Sequence, residues 1–324
     1  MQKLLLLVAI FIGANFSITA QNVIIQAKAY LQSAIPSDFE TDEFGNPLMT
    51  DHLRVSPYTG KTYIPSQDPY SSGEGYTAAL AGKFVHVGTG GSVDNTTIVD
   101  PESVFAVTGQ NAIVDWVFME LRLMEASNTT VATRSGLLQR DGDVVDLDGV
   151  SPLVFEGVAP GNYYVVLRHR NHLGVMTMDR QAISSISTTI DFTDPGFALW
   201  DYGTKMENRD YTGLATNLLS TSAGDYRILW CGDFNADGKI KFSEPNSDLN
   251  MLFLDVVGFE GNTEYDPNYG SAHGYFQSDN DMNGMIKYDS PNDDRMSLMN
   301  ALGNYDLNGN HDFNYDHFIA QLPE

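Results

Sequence analysis

Asp233-Phe234-Asn235-Ala236-Asp237-Gly238-Lys239-Ile240-Lys241-Phe242 returns 46 residues later as Asp279-Asn280-Asp281-Met282-Asn283-Gly284-Met285-Ile286-Lys287-Tyr288. In both copies Asp or Asn stands at positions 1, 3 and 5, Gly at 6 and Ile at 8. Alternate side chains bring hard oxygen donors to one centre, and Gly permits the sharp turn that wraps the chain around an ion. Asp233, Asn235 and Asp237 are the side-chain candidates in the first loop, and Asp279, Asp281 and Asn283 in the second. Lys239 and Met285 stand at position 7, which contributes a backbone carbonyl. The expected cofactor is Ca2+, with two ions per chain.

Working outward, the duplication continues: Pro245 and Pro291, Asn246 and Asn292, Asp248 and Asp294, and Leu252 and Leu298 keep the same spacing. Apolar residues after each loop recur at helical intervals, Leu249, Leu252, Phe253 and Val256, then Met296, Met299 and Leu302. Asn246 or Ser247, and Asn292 or Asp293, are natural N-caps, and Gly258 and Gly303 sit where helices end. Each unit reads as a metal loop leading into one short helix. This resembles the half-EF-hand units of dockerin modules more than a complete helix–loop–helix. Closure of the cage has two readings. Glu244 stands at position 12, the usual bidentate carboxylate, but the second copy has Ser290 there. Asp248 and Asp294 occur in both copies and are favoured, with Glu244 assisting the first site. Asp306 to Asp312 is a third loop candidate, but His311 replaces the position-6 Gly, and it reads better as the tail of the second unit, where Asp312-Phe313-Asn314-Tyr315 matches Asp266-Pro267-Asn268-Tyr269.

Upstream, Val117, Met119, Leu121 and Leu123 alternate with Phe118, Glu120, Arg122 and Met124, a period-two strand. Turn signals at Arg140–Asp143 and Pro160–Asn162 punctuate further short strands. The fold class expected is mainly β: an antiparallel β-sandwich followed by a small α-rich pair of calcium loop–helix repeats. Val158 to Val165 resembles a hairpin of transthyretin-like or collagen-adhesin B-type domains. The expected divisions are a signal peptide at 1–20, a loop-rich region at 21–110, the sandwich at 111–195, a linker at 196–229 and the repeats at 230–324. The loop-rich region is either draped over its neighbour or carries a binding surface.

The 324-residue chain is 42% hydrophobic, enough to bury real cores, and its formal net charge is −24. That acidity argues against nucleic acid and anionic membrane as partners. Lys3, the apolar run Leu4 to Ile12 and Ser17-Ile18-Thr19-Ala20 form an export signal cleaved before Gln21, too short to span a bilayer comfortably. Cys231 is the only cysteine, so no intrachain disulfide can form, and its apolar setting suits a buried thiol.

Other candidates are weaker. Asp141 to Gly149 suits a short strand between two Asp-Gly turns better than an ion site. Arg168-His169-Arg170-Asn171-His172, the one basic cluster, reads as a solvated strand end. Tyr58, Tyr63 and Tyr70 could stack on sugar but better suit a loop cover. No G-x-S-x-G, H-E-x-x-H, P-loop or C-x-x-C pattern occurs, so the chain is expected not to be an enzyme.

The stretches Leu48–Gly60, Ala112–Val117, Leu138–Gly149, Tyr163–Val175 and the two loops resemble a secreted, adhesin-like module of Bacteroidota. That resemblance implies an exported or cell-surface protein, often carried within larger proteins that use the type IX secretion route, and no established catalysis. Gln321 to Glu324 carries no recognisable sorting domain, which leaves the periplasm open. The expected function is noncatalytic calcium binding with an adhesive or architectural role toward an extracellular protein or glycan. Alternatives are a dockerin-like docking module and a polysaccharide hydrolase.

Overall fold

A computed structural model describes residues 21–72, 84–88, 97–205, 216–243, 247–289, 293–313, 315 and 322–323. The expected export signal at 1–20 lies outside them.

The chain is mainly β. Strands β1 (Asn22–Lys28), β2 (Glu40–Thr41) and β3 (Pro47–Leu48) come first, followed by two short helices, α1 (Pro69–Ser72) and α2 (Pro101–Ala106). Then come β4 (Ile113–Arg122), β5 (Thr130–Gln139), β6 (Asp143–Val145), β7 (Leu153–Glu156), β8 (Gly161–Arg168), β9 (Val175–Met176), β10 (Gln181–Ile183) and β11 (Thr188–Asp191). After α3 (Tyr202–Lys205) the hairpin β12 (Thr216–Ser220) and β13 (Asp225–Leu229) leads into the repeats. These contain α4 (Asp248–Val257), β14 (Ala272–His273), β15 (Met285–Ile286) and α5 (Asp294–Gly303).

Nine strands form one sheet in the order β10-β8-β4-β5-β6-β1-β11, with β7 on β1 and β9 on β8. Two features depart from the expected divisions. β1 belongs to this sheet, pairing antiparallel with β6 and β7 and parallel with β11. Residues 216–229, expected as linker, form a hairpin fastened to the N-terminal segment through Leu229 N–H to Tyr30 O at 2.8 Å. The placing of β1 and the fastening of the hairpin both depend on contacts between segments remote in sequence. Asp141 to Gly149 follows the strand reading: β6 lies between turns at Gly142 and Gly149, and Arg134 pairs with Asp146.

β8 explains how the sheet and the repeats are joined. Its sequence Tyr163-Tyr164-Val165-Val166-Leu167 is an unbroken apolar run, the pattern of a strand covered on both faces. Tyr163, Val165 and Leu167 enter the core of the sheet. Tyr164 and Val166 enter a second core with Trp200, Trp230, Phe234, Ile240, Leu252, Ile286, Leu298 and Leu302. The aliphatic residue at loop position 8 is therefore a core anchor in both units.

All ten residues of β4 are buried, where sequence alternation predicts one largely apolar face. The N-terminal region supplies part of the extra cover: Tyr70 and Phe84 pack on Phe118, and Trp116 Nε1–H donates to Pro65 O at 2.9 Å. This is the draped arrangement.

Candidate metal centre

The two loops fold alike, bond for bond. The amide of Asp237 donates to Asp233 Oδ1 (3.0 Å) and that of Gly238 to Asp233 Oδ2 (3.0 Å). In the second loop Asn283 donates to Asp279 Oδ1 (3.1 Å) and Gly284 to Asp279 Oδ2 (2.9 Å). Position 4 is left-handed in both, with φ 49° at Ala236 and 55° at Met282, as are the glycines at position 6. Gly284 could not be replaced cheaply, because its φ is +78° and a Cβ there would meet the Tyr63 ring at 2.7 Å.

The aspartate at each helix start ties the loop's two ends together. Asp248 accepts from Phe234 N–H through Oδ1 (2.7 Å) and from Lys241 N–H through Oδ2 (2.7 Å). Asp294 accepts from Asn280 N–H (2.7 Å) and Lys287 N–H (2.8 Å). Ser247 and Asp293 cap α4 and α5, each one of the two alternatives that the sequence left open. Asn262 and Asn308 repeat the pattern downstream: each side-chain amide donates to the end of its helix and to a later carbonyl. Asp306 to Asp312 thus has the geometry of a unit's tail.

Asp279, Asp281 and Asp294 each place an oxygen within 4.8 Å of the others, a cluster of buried and half-buried carboxylates that could hold a metal ion. Among the described residues no second set of three acidic groups meets that spacing. In the first loop Asn235 occupies the position of Asp281, so the acidic partners of Asp233 there are Asp237 and Asp248. Glu244, Ser290, Asn246 and Asn292 lie outside the described residues. Lys239 is exposed, while Met285 sits in β15 and pairs with His273, so the two position-7 residues differ in setting.

The carboxyls are unsettled as an anionic set. Burial, then repulsion from Asp237, pushes Asp233 up to about 8. Burial also raises Asp281 to about 6. Asp248, Asp279 and Asp294 stand well above the usual carboxylate range, from burial and then neighbouring carboxylates. A divalent cation would supply the missing counter-charge, and the all-oxygen donor set would suit a hard one. The sign of the linkage follows. A group protonated more readily when folded favours folding below its unfolded pKa, and that contribution is lost as pH rises through its folded pKa. In EDTA the melting temperature is expected to fall between about pH 4 and pH 8. The fall should shrink in Asp279→Asn and largely vanish with calcium; an identical slope in all three cases would refute this account.

A buried polar hub joins the loops to the sheet, and sequence reasoning missed it. The basic cluster at 168–172 is not a solvated strand end: His169, Arg170, Asn171 and His172 are all buried. Asn171 O accepts from Gly232 N–H (2.9 Å), immediately before the first loop. Asn171 Nδ2–H donates to Gln277 O (3.0 Å) and Asp279 O (2.8 Å), at the start of the second. Arg170 donates to Phe276 O and, through Nε, to Asp115 Oδ2 (2.8 Å). Asp115 also meets His169 Nε2 (3.1 Å) and the Tyr275 hydroxyl. The signal available in sequence was Asp115, a charge flanked by Ile113, Val114, Trp116 and Val117, which requires a buried partner.

Two other groups carry side chains capable of chemistry. Cys231 is buried, and burial pushes its thiol up to about 12, the setting of an inert cysteine. Asp68, His86 and Thr133 line up at 2.7 and 3.0 Å in the order of a proton relay. Thr133 is buried, and its hydroxyl already accepts from Val87 N–H (2.9 Å), so the group fastens residues 84–88 to β5.

Comparison with protein families, curated proteins and solved structures returns no match for this chain.

Proposed function

We propose that this is an exported, noncatalytic calcium-binding protein in which two ions rigidify a dockerin-like pair of loop–helix units. Its role is adhesive or architectural at the cell surface, as part of a secreted, adhesin-like Bacteroidota module with a sandwich-type β domain. The observation that carries this reading is the identical ladder of carboxylate-to-amide bonds 46 residues apart. Asx turns alone account for such bonds locally, but not for the clustering of three carboxylates beneath one of them. Export rests on residues 1–20.

The test is ion stoichiometry by calorimetry on the mature chain. Two calcium ions are expected, one in Asp279→Ala, and much weaker binding of Mg2+, which demands a tighter octahedral cage. No bound calcium, or equal affinity for Mg2+, would refute it. The noncatalytic part is tested by a polysaccharide panel, in which any released product counts against it.

A second reading is a docking module that recruits a protein through the helices. It is favoured by apolar side chains left in solvent on them, Phe253 (38% exposed), Leu254 (64%) and Met296 (41%). Leu254→Asp should abolish chelator-sensitive capture of such a partner while two ions still bind.

A further inference from the structure

The second loop borders an open cleft of about 560 Å3, and the two repeat units differ there. On α5, Ser297, Asn300, Ala301 and Asn304 line one wall at helical spacing. The corresponding residues of the first unit, 46 positions earlier, are Met251, Leu254, Asp255 and Gly258. The metal loops are nearly the same, so the polar stripe on α5 is a property of the cleft and not of the ion. Asn300 and Asn304 are exposed, and neither side chain is bonded to another described residue.

The opposite wall comes from the N-terminal segment, including Thr50, His52 and Tyr58. Tyr58 is 54% exposed and tilted against His273 at 5.9 Å between ring centroids. Of the three tyrosines that sequence offered for stacking, Tyr70 is buried and Tyr63 is pressed over Gly284, which leaves Tyr58. Asp281 and Asn283, at positions 3 and 5 of the second loop, complete the lining.

We propose that this cleft binds a neutral saccharide, with its floor held in place by the ion in the second loop. The argument is chemical. Carboxamides present a donor and an acceptor side by side, matching vicinal hydroxyls that are each both donor and acceptor. Tyr58 offers an apolar ring face with a polar edge. No Lys or Arg lines the cleft, and burial lowers the pKa of His52, so no cationic side chain is present to pair with an acidic sugar. The overall charge of −24 also repels anions.

The saccharide proposal rests on the calcium reading, and the experiment separates them. The mature chain is titrated with neutral gluco-, manno- and galacto-oligosaccharides, with oligouronates and with peptides, in calcium and in EDTA, while bound calcium is counted in parallel. Binding to a neutral oligosaccharide is expected in calcium and lost in EDTA. Asn300→Ala with Asn304→Ala should weaken it about tenfold or more, with two ions still bound, as should Tyr58→Ala. These positions are exposed, so the variants test the cleft and not the fold. Two bound ions with no neutral saccharide binding would overturn the cleft and leave the calcium reading standing. Saccharide binding that survives EDTA would overturn the role of the ion. Preference for oligouronates or peptides would overturn the ligand class, and a chain that binds no calcium would overturn both.

Discussion

Adding calcium back to EDTA-stripped protein should raise its melting temperature by about 10 °C or more. At a free concentration one hundred times the dissociation constant, each site adds about 2.7 kcal/mol, so two sites add about 5. For a chain of this size each kcal/mol is worth about 2 °C. Asp233→Ala and Asp279→Ala should each remove roughly half of the rise, and the double variant all of it. The second site should contribute the more specific half, because its three clustered acids leave more charge to be neutralised. Equal melting in EDTA and in calcium would mean that the ladders are Asx turns that need no ion.

The second large effect is expected far from either loop. Asp115→Ala should cost about 3–5 kcal/mol, the usual penalty for stranding a buried charge, here the Arg170 guanidinium. Burial alone would raise the Asp115 carboxyl, but Arg170, His169 and Tyr275 outweigh it and hold it at about 2. Its stabilisation is therefore present above the ordinary carboxylate pKa and lost in acid, opposite in sign to that of the loop carboxyls. Tyr275→Phe removes one hydrogen bond and should cost only about 1 kcal/mol. Because Arg170 and Asn171 hold the chain entering the second loop, Asp115→Ala should also weaken calcium binding. Unchanged affinity in a destabilised but folded variant would show that hub and loops are independent.

The matching turns of the two loops were legible in the sequence because their chemistry is local. Oxygen at alternate positions followed by Gly constrains ten consecutive residues, and the repeat tests the pattern twice. The helix caps Ser247 and Asp293 were legible for the same reason. The cluster at 168–172 was not. Charged residues beside a turn look solvated until Asp115, 55 residues upstream of Arg170, is placed beneath them. β1 was equally opaque as to its neighbours, since nothing in Val23 to Ala27 specifies a parallel partner at Thr188 to Asp191. β8 lay between these cases: the turn at Pro160–Asn162 announced a strand, but not that its second face would meet the repeats.

Duplicated units commonly multiply, since a copy that folds alone can be added or lost by unequal exchange. Asn171 removes that freedom here. Its main-chain carbonyl serves the approach to one loop and its side-chain amide serves the start of the other, so both are committed. Deleting one copy would orphan a buried polar group, and a third would find no equivalent anchor. The pair is a closed set of two, and relatives of this chain should vary in their loops and outer helix faces while the number of units stays constant.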